Sequence, residues 1–435
     1  MPRIPSALAI VWLLLLAPFP TSAVAQVEIH RGAQQAFAAF RSSATTISRG
    51  LITLQTPEPN AQAWQSLERI ERVVETIRGV FGGMKPREKF DRLTVWRIPD
   101  RAAYIGGLRV ITGVDGSNSG GMFVVRGDDI HVFVHGESWP ILQHELWHAV
   151  AAVYLGDIAP WIDEGLAEIF ERGLFVEGSF VIGAVSGTDV GSIQSALASN
   201  MLRPSIEFTT LSDSVWGSRL RHGMDSGSAQ YTQAWITLHF LLFADEGAHR
   251  RRVNTLLSEI NRGRSAQSAL HSAIGADAAS LGALDAGIAR FVRGLKPVDP
   301  AATAAMLRAW GEQQRAGADS ESLKAASLAS SLTNWASKRA GSAGPIDLNR
   351  RVRALGKDDA PLENQIIEIN PLDGMRWEVA WVKARANPNA SAASNTAEES
   401  GSRTASPPAK PAPTHEVQIR WFLSRVSEQP IRNRR

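Results

Sequence analysis

Two histidines and a glutamate fall within five consecutive residues, His144-Glu145-Leu146-Trp147-His148. In an α-helix, positions i and i+4 lie on one face, so both imidazoles can reach one metal ion. Glu145 borders that face, where a carboxylate can take a proton from water that the ion has acidified. Two imidazoles do not complete a hydrolytic site, which needs a third protein ligand and one open position. The next helical stretch, Pro160-Trp-Ile-Asp-Glu164-Gly-Leu-Ala-Glu168, carries two carboxylates four residues apart on one face. Glu164 follows His148 by sixteen residues, enough for a helix to end, turn and return antiparallel. Gly165 and Ala167 keep the second helix thin and allow close approach. Glu164 is therefore the expected third ligand. Glu168 is expected to accept a hydrogen bond from the free ring nitrogen of one ligand histidine. The expected cofactor is one zinc ion per chain.

Those side chains need rigid elements beneath them. Ala61 to Phe81 carries Trp64, Leu67, Ile70, Val74 and Ile77 at helical spacing, and Gly82-Gly83 ends it. Leu93 to Ile98, Gly120 to Val125 and Ile130 to Val134 read as strands, the last two joined by a turn at Arg126-Gly-Asp-Asp129. Ile47 to Gln55 alternates weakly and reads as one more strand. The histidine-bearing helix is expected over Trp139 to Leu155, stopped by Gly156, and the next from Pro160 to about Gly173. Residues 174 to 228 read as loops with short helices. Helices follow over Tyr231 to Ala244, Arg250 to Ile260 and Ala276 to Leu295, and an Ala-rich helical stretch runs to about Arg339. The fold class expected is α+β: a small mixed sheet under the metal helix, a C-terminal helical lobe and a terminal β-hairpin. That hairpin would pair Arg376 to Lys383 with Glu416 to Leu423 around the Ala/Ser/Pro-rich tract 387–413, which reads as disordered. The segments so defined are 1–25, 26–90, 91–245, 246–345 and 346–435.

At this point the residues carry a resemblance. The five-residue motif followed by W-x-x-E-G-x-A-E resembles the gluzincin metallopeptidases, the thermolysin and aminopeptidase N group, and is most similar to exported bacterial members without an assigned substrate. The resemblance implies a zincin-like core, zinc held by His144, His148 and Glu164, Glu145 as general base, and Glu168 supporting a histidine. The interval from His148 to Glu164 is a few residues shorter than in thermolysin, and Glu168 sits nearer that spacing; the E-G-x-A-E pattern assigns the ligand role to Glu164. Gln230-Tyr231-Thr-Gln-Ala-Trp235 resembles the tyrosine-bearing helix start of aminopeptidase-like members, which implies that Tyr231 donates to an oxyanion. A half-buried aromatic at a helix start is the other reading of Tyr231. Gly120 to Val124 suits either an edge strand along which a peptide lies or an ordinary core strand. His131, His135, His222, His239 and His249 match nothing in the pattern and read as structural or surface residues.

Composition narrows the remainder. The 435 residues are 44% hydrophobic and 20% charged, as in an ordinary globular chain, and contain no cysteine. Disulfides, thiolate ligands and cysteine nucleophiles are thereby excluded. A net charge of +3 without a dense Lys/Arg stripe argues against nucleic acid as a partner. The N-terminus pairs Arg3 with an apolar run from Ala7 to Ala17 and an Ala23-Val24-Ala25 site, the layout of a secretory signal peptide cleaved after Ala25. An uncleaved anchor is the alternative. No other run is long enough to span a membrane. The expected function is an exported, periplasmic or secreted zinc metallopeptidase acting on peptide or protein substrates. The alternatives are a zinc hydrolase of another amide or ester, and a binding or scaffolding protein on a peptidase fold.

Overall fold

The structure is a computed structural model. It describes residues 23–89, 91–117, 119–156, 158–221, 224–317, 325–337, 352–355, 365–369, 375–383 and 415–423. Most of the signal-like segment, all of the tract 387–413 and His222 lie outside the described residues. The fold is mixed α+β, with 14 helices and three sheets among the described residues. None of these helices is long and apolar enough to cross a membrane. The chain divides into two units, one of Met1–Asp299 with Leu423–Arg435 and one of Pro300–Phe422. The helices between residue 246 and Asp299 belong to the first unit.

In chain order the first unit begins with α1 (Ala23–Ser43), β1 (Thr45–Arg49), β2 (Ile52–Thr56), α2 (Asn60–Val80), β3 (Arg92–Ile98), α3 (Arg101–Thr112), β4 (Gly121–Arg126) and β5 (Asp129–His135). The five strands form one mixed sheet in the order β1-β2-β3-β5-β4. Strands β2, β3 and β5 run parallel, while β1 and β4 are antiparallel to their neighbours. The single strand read over Ile47 to Gln55 is instead the hairpin β1–β2. Gly50 lies in its turn at φ 56°, a left-handed conformation that a glycine adopts without strain. Side chains alternate across the sheet. Trp96, Ile98, Met122, Val124 and Phe133 pack with Phe37, Tyr104 and Leu108 of α1 and α3. The intervening residues, among them Val95, Phe123 and Val132, face the other way. On that side lie α2 and α4 (Trp139–Leu155).

Helix α4 is buried almost all round, from Leu142 to Ala151 and again from Val153 to Leu155, as a central helix must be. Ser138 caps its first turn by accepting from the Ile141 amide, and Gly156 ends it at φ 67°. Pro160 then opens α5 (Pro160–Glu171). The region read as loops and short helices also contains a small hairpin, β6 (Leu174–Val176) and β7 (Ser179–Val181). Glu177 and Gly178 form its two-residue turn, both at positive φ, as the strand twist requires. The unit continues with α6 (Gly187–Ala198), α7 (Ser205–Phe208), α8 (Asp213–Arg221), α9 (Met224–Phe243), α10 (Arg250–Asn261), α11 (Ala266–Ala273) and α12 (Ala278–Gly294). Helix α9 starts seven residues earlier than the sequence suggested, so Tyr231 lies two turns inside it rather than at its start.

The second unit holds α13 (Pro300–Gly317), α14 (Ala325–Ser337), β8 (Val352–Ala354), β9 (Ile366–Ile369), β10 (Met375–Lys383) and β11 (His415–Leu423). Its sheet order is β11-β10-β9-β8. The two strand runs expected to flank the tract are thus neighbours in one sheet, joined by β8 and β9 into four strands. Trp381 anchors the sheet on α13, with Nε1 donating to the Gly311 carbonyl at 3.1 Å and its ring set edge-on to Trp310.

Candidate metal centre

Two helices position the site. Consecutive turns of α4 present His144 and His148, whose ring centroids are 4.8 Å apart. α5 returns antiparallel across them, and Gly165 is what lets it come so near to α9. A Cβ there would meet the Ala234 carbonyl oxygen at 2.6 Å and Leu238 at 2.9 Å. Gly165→Val is therefore expected to cost roughly 1–3 kcal/mol by overpacking and to push α5 off its seat. A lower melting temperature combined with weakened metal retention would reveal this. A full set of wild-type properties would show that the close approach is dispensable.

The sequence-expected ligands come together. His144 Nε2 lies 3.3 Å and His148 Nε2 3.6 Å from Glu164 Oε2. These spacings exceed the ordinary N–H···O range. They match the edges of a tetrahedron of donors set about 2.0–2.1 Å from one zinc-sized ion, which are roughly 3.4 Å long. Neither His148 Nε2 nor Glu164 Oε2 has a hydrogen-bond partner, although both are buried. His144, His148 and Glu164, each 1% exposed, thus form a buried group that could hold a metal ion. Buried polar atoms left unbonded are costly in a folded protein, and an ion bound by deprotonated histidines and Glu164 would remove that cost.

Charge accounts for the site's titration. Burial disfavours the Glu164 carboxylate, but the two histidines outweigh it and hold the pKa near 2. Burial likewise opposes charging of His148, yet Asp163 and Glu164 raise it to about 10. His144 is raised by Glu164 and Glu171 against the same penalty. The metal-free site is therefore an imidazolium–carboxylate cluster, and a metal ion entering it must displace protons.

Glu145 is also 1% exposed, and its Oε1 has no hydrogen-bond partner. Burial is the main cause that raises its pKa to about 7. It packs against β4, the outermost strand of the five-stranded sheet. A Cβ on Gly121 would meet Glu145 Cγ at 2.8 Å and Oε1 at 2.9 Å, so β4 can lie this close only with glycine there. The 120–124 run has features of both readings: β4 is at the edge of the sheet, and its Met122, Phe123 and Val124 are buried in the core. Phe123, two residues along β4, stacks on His148 with centroids 5.5 Å apart.

Tyr231 is buried on α9, with Trp216 of α8 set edge-on to its ring at 5.6 Å. Burial raises its pKa well above the usual value, and the nearby Glu164 carboxylate adds to this. The structure thus brings Tyr231 to the site despite the shift in helix start.

The support expected of Glu168 is found elsewhere. Glu168 Oε2 accepts from Arg172 Nη1 at 2.5 Å, and Arg172 in turn reaches Asp189 and lies over the Trp235 ring. Arg172, one helical turn beyond Glu168, captures its carboxylate. The ring nitrogens of the two ligand histidines meet other carboxylates: His144 Nδ1 bonds Glu171 Oε2 at 2.9 Å, and Asp163 Oδ1 stands 3.0 Å from His148 Nδ1. Neither was singled out from sequence. The signal was present, since Glu164, Glu168 and Glu171 repeat at i, i+4 and i+7, one continuous helical face.

His131, His135, His239 and His249 are in neither possible metal group. His131 Nδ1 accepts from Trp96, and His249 pairs with Asp245. His239 is buried among Trp235, Phe243 and Phe291, and burial, aided by Arg172, lowers its pKa to about 3. No protein-family model and no curated protein sequence matches this chain.

Proposed function

We propose that this chain is an exported zinc-dependent hydrolase of the gluzincin type that cleaves peptide bonds. The observation that carries the reading is the convergence of buried His144, His148 and Glu164 beside a buried Glu145 whose Oε1 has no hydrogen-bond partner, with Glu145 and His148 against the edge strand of a mixed sheet. A zinc ion held by the three ligands would supply Lewis acidity, polarising a carbonyl and easing deprotonation of water. Glu145 is the proton carrier: it accepts a proton from the attacking water and delivers it to the departing amine nitrogen. Burial raises its pKa to about 7 in the metal-free site and a bound cation would lower it, which leaves it ionised to accept a proton near neutral pH. Among the described residues β4 has a strand on one side alone, and its backbone on the other side could pair with an extended peptide and align its scissile bond. Tyr231 keeps its proton at any working pH and donates it as a hydrogen bond to the developing oxyanion. Export rests on the charged, apolar and A-x-A layout of the first 25 residues.

Elemental analysis of the full-length chain is expected to find about one zinc per molecule, and a panel of peptide, amide and ester substrates to show turnover of peptides. A zinc-loaded chain that cleaves none of the panel defeats the hydrolase reading. Turnover of esters or small amides alone moves the substrate class and leaves the site chemistry standing.

A further inference from the structure

We infer that Glu171 and Asp163 are the positioning residues of the metal centre, in place of the carboxylate four residues after the third ligand; this rests on the metal-binding reading above. A histidine ligand presents one ring nitrogen to the ion, and whatever holds its other nitrogen fixes both tautomer and ring angle. Glu171 sits in the last turn of α5, two turns beyond Glu164 on the same face. Its Oε2 takes the Nδ1–H of His144 at 2.9 Å, and this directs Nε2 toward Glu164. Asp163 precedes Glu164 directly. Its Oδ1 is fixed by the Trp147 indole N–H at 2.9 Å and stands 3.0 Å from His148 Nδ1, out of line with the ring N–H. Phe123 braces the same ring from its flat side. Both rings thus turn Nε2 to the same point.

The far end of α5 is itself tied to α4. The Gln143 amide, in the orientation that satisfies both its ends, donates to the carbonyls of Phe170 and Glu171 at 3.0 Å and of Gly173 at 3.3 Å. Gln143 neighbours His144, so its amide ties the Glu171 backbone to α4 one residue from the histidine that the Glu171 side chain must meet. Glu168 has a different task. Its charge balances the partly buried Arg172, whose other ion pair is with Asp189. His144, Glu168 and Glu171 also lie close enough together to form a second possible metal group. There, however, Arg172 already neutralises Glu168 and Glu171 already binds a ring N–H, so no buried acceptor is left over.

The test measures zinc affinity by chelator competition, zinc stoichiometry, and melting temperature with and without zinc, on the full chain carrying Glu171→Gln, Asp163→Asn or Glu168→Gln. Glu171→Gln is expected to weaken zinc binding about 10–100-fold while stoichiometry stays at one. Asp163→Asn is expected to weaken it less, since its contact is out of line, and Glu171→Asp to recover part of the loss. Glu168→Gln should leave zinc affinity unchanged and lower the melting temperature of the metal-free chain. Replacing zinc by cobalt(II) adds a readout that mere loss of stability would not move: the visible absorption should shift in Glu171→Gln and not in Glu168→Gln. If the wild type binds one zinc and all three variants bind it equally, the positioning role is refuted and the metal site stands. If Glu168→Gln loses the ion while a Glu164→Gln variant keeps it, the metal lies in the second group and both readings fall. A wild type that takes up no zinc ends the metal-binding reading itself.

Discussion

Glu145→Gln is expected to keep the metal and to lower peptide hydrolysis by about two to four orders of magnitude, the usual worth of a general base. The substitution preserves shape, so the close fit of the side chain against the glycine at Gly121 survives, and the loss is one of proton transfer alone. The wild-type rate should fall on the acid side as Glu145 takes up its proton. Burial places that event near pH 7 in the metal-free chain, and a neighbouring cation lowers it, so the acid limb lies at or below pH 7. In Glu145→Gln the limb should disappear along with the activity. A rate unchanged by the substitution, or a variant that keeps the same acid limb, would remove Glu145 from the mechanism.

The second large effect is expected at Glu164. Glu164→Ala should bring the zinc content from about one per chain to none and remove the one carboxylate that His144 and His148 share, leaving each with its own neighbour, Glu171 or Asp163. Removing one partner of a buried ionic cluster typically costs about 3–5 kcal/mol, so the metal-free variant should melt well below the metal-free wild type at neutral pH.

The wild-type cluster makes the pH dependence specific. The Glu164 pKa, depressed to about 2 from 4.5, adds stability above pH 4.5 that is lost as pH falls toward 2. The Glu145 pKa, raised from 4.5 to about 7, loses its contribution as pH rises between those values. The His148 pKa, raised from 6.5 to about 10, gives a contribution that is complete below 6.5 and lost toward 10. The metal-free site should therefore stabilise the chain most near pH 4.5 and decline on both sides. Zinc replaces the protons of the histidines, so the rise in melting temperature on adding zinc should grow from pH 5 to pH 9. A zinc-induced shift independent of pH would contradict the imidazolium–carboxylate cluster.

Some of this could be read from the chain and some could not, for identifiable physical reasons. The pairing of His144 with His148 follows from helix geometry alone, and the strands β3, β4 and β5 follow from alternating apolar residues between turn signals. Glu164 follows from the need for a third ligand on a helix that returns antiparallel. The role assigned to Glu168 did not carry over, because three carboxylates share one face of α5 and their partners decide between them. Arg172 captures one, His144 another, and both contacts are tertiary or depend on rotamers that spacing does not encode. The hairpin β1–β2 was hidden because Gly50 turns the chain inside what alternation presents as a single run. The start of α9 was hidden because Met224 to Gln230 carries little apolar pattern and is helical by continuation from the buried stretch after it. Gly121 matters through a backbone contact with Glu145, which no side-chain pattern can announce.

The antiparallel pair α4–α5 has a consequence for how the molecule opens and closes. Apart from Tyr231, the ligands, the base and the carboxylates beside them all lie between His144 and Glu171, on two helices joined by a turn of a few residues. Such a segment closes with little loss of chain entropy and can form and open as a local cooperative unit. An ion gripped from both helices is a cross-link across that unit, so opening it requires the ion to be released first. Amide hydrogen exchange should accordingly slow on zinc loading over Leu142 to Phe170 and remain unchanged in β1 and β2, at the far edge of the sheet.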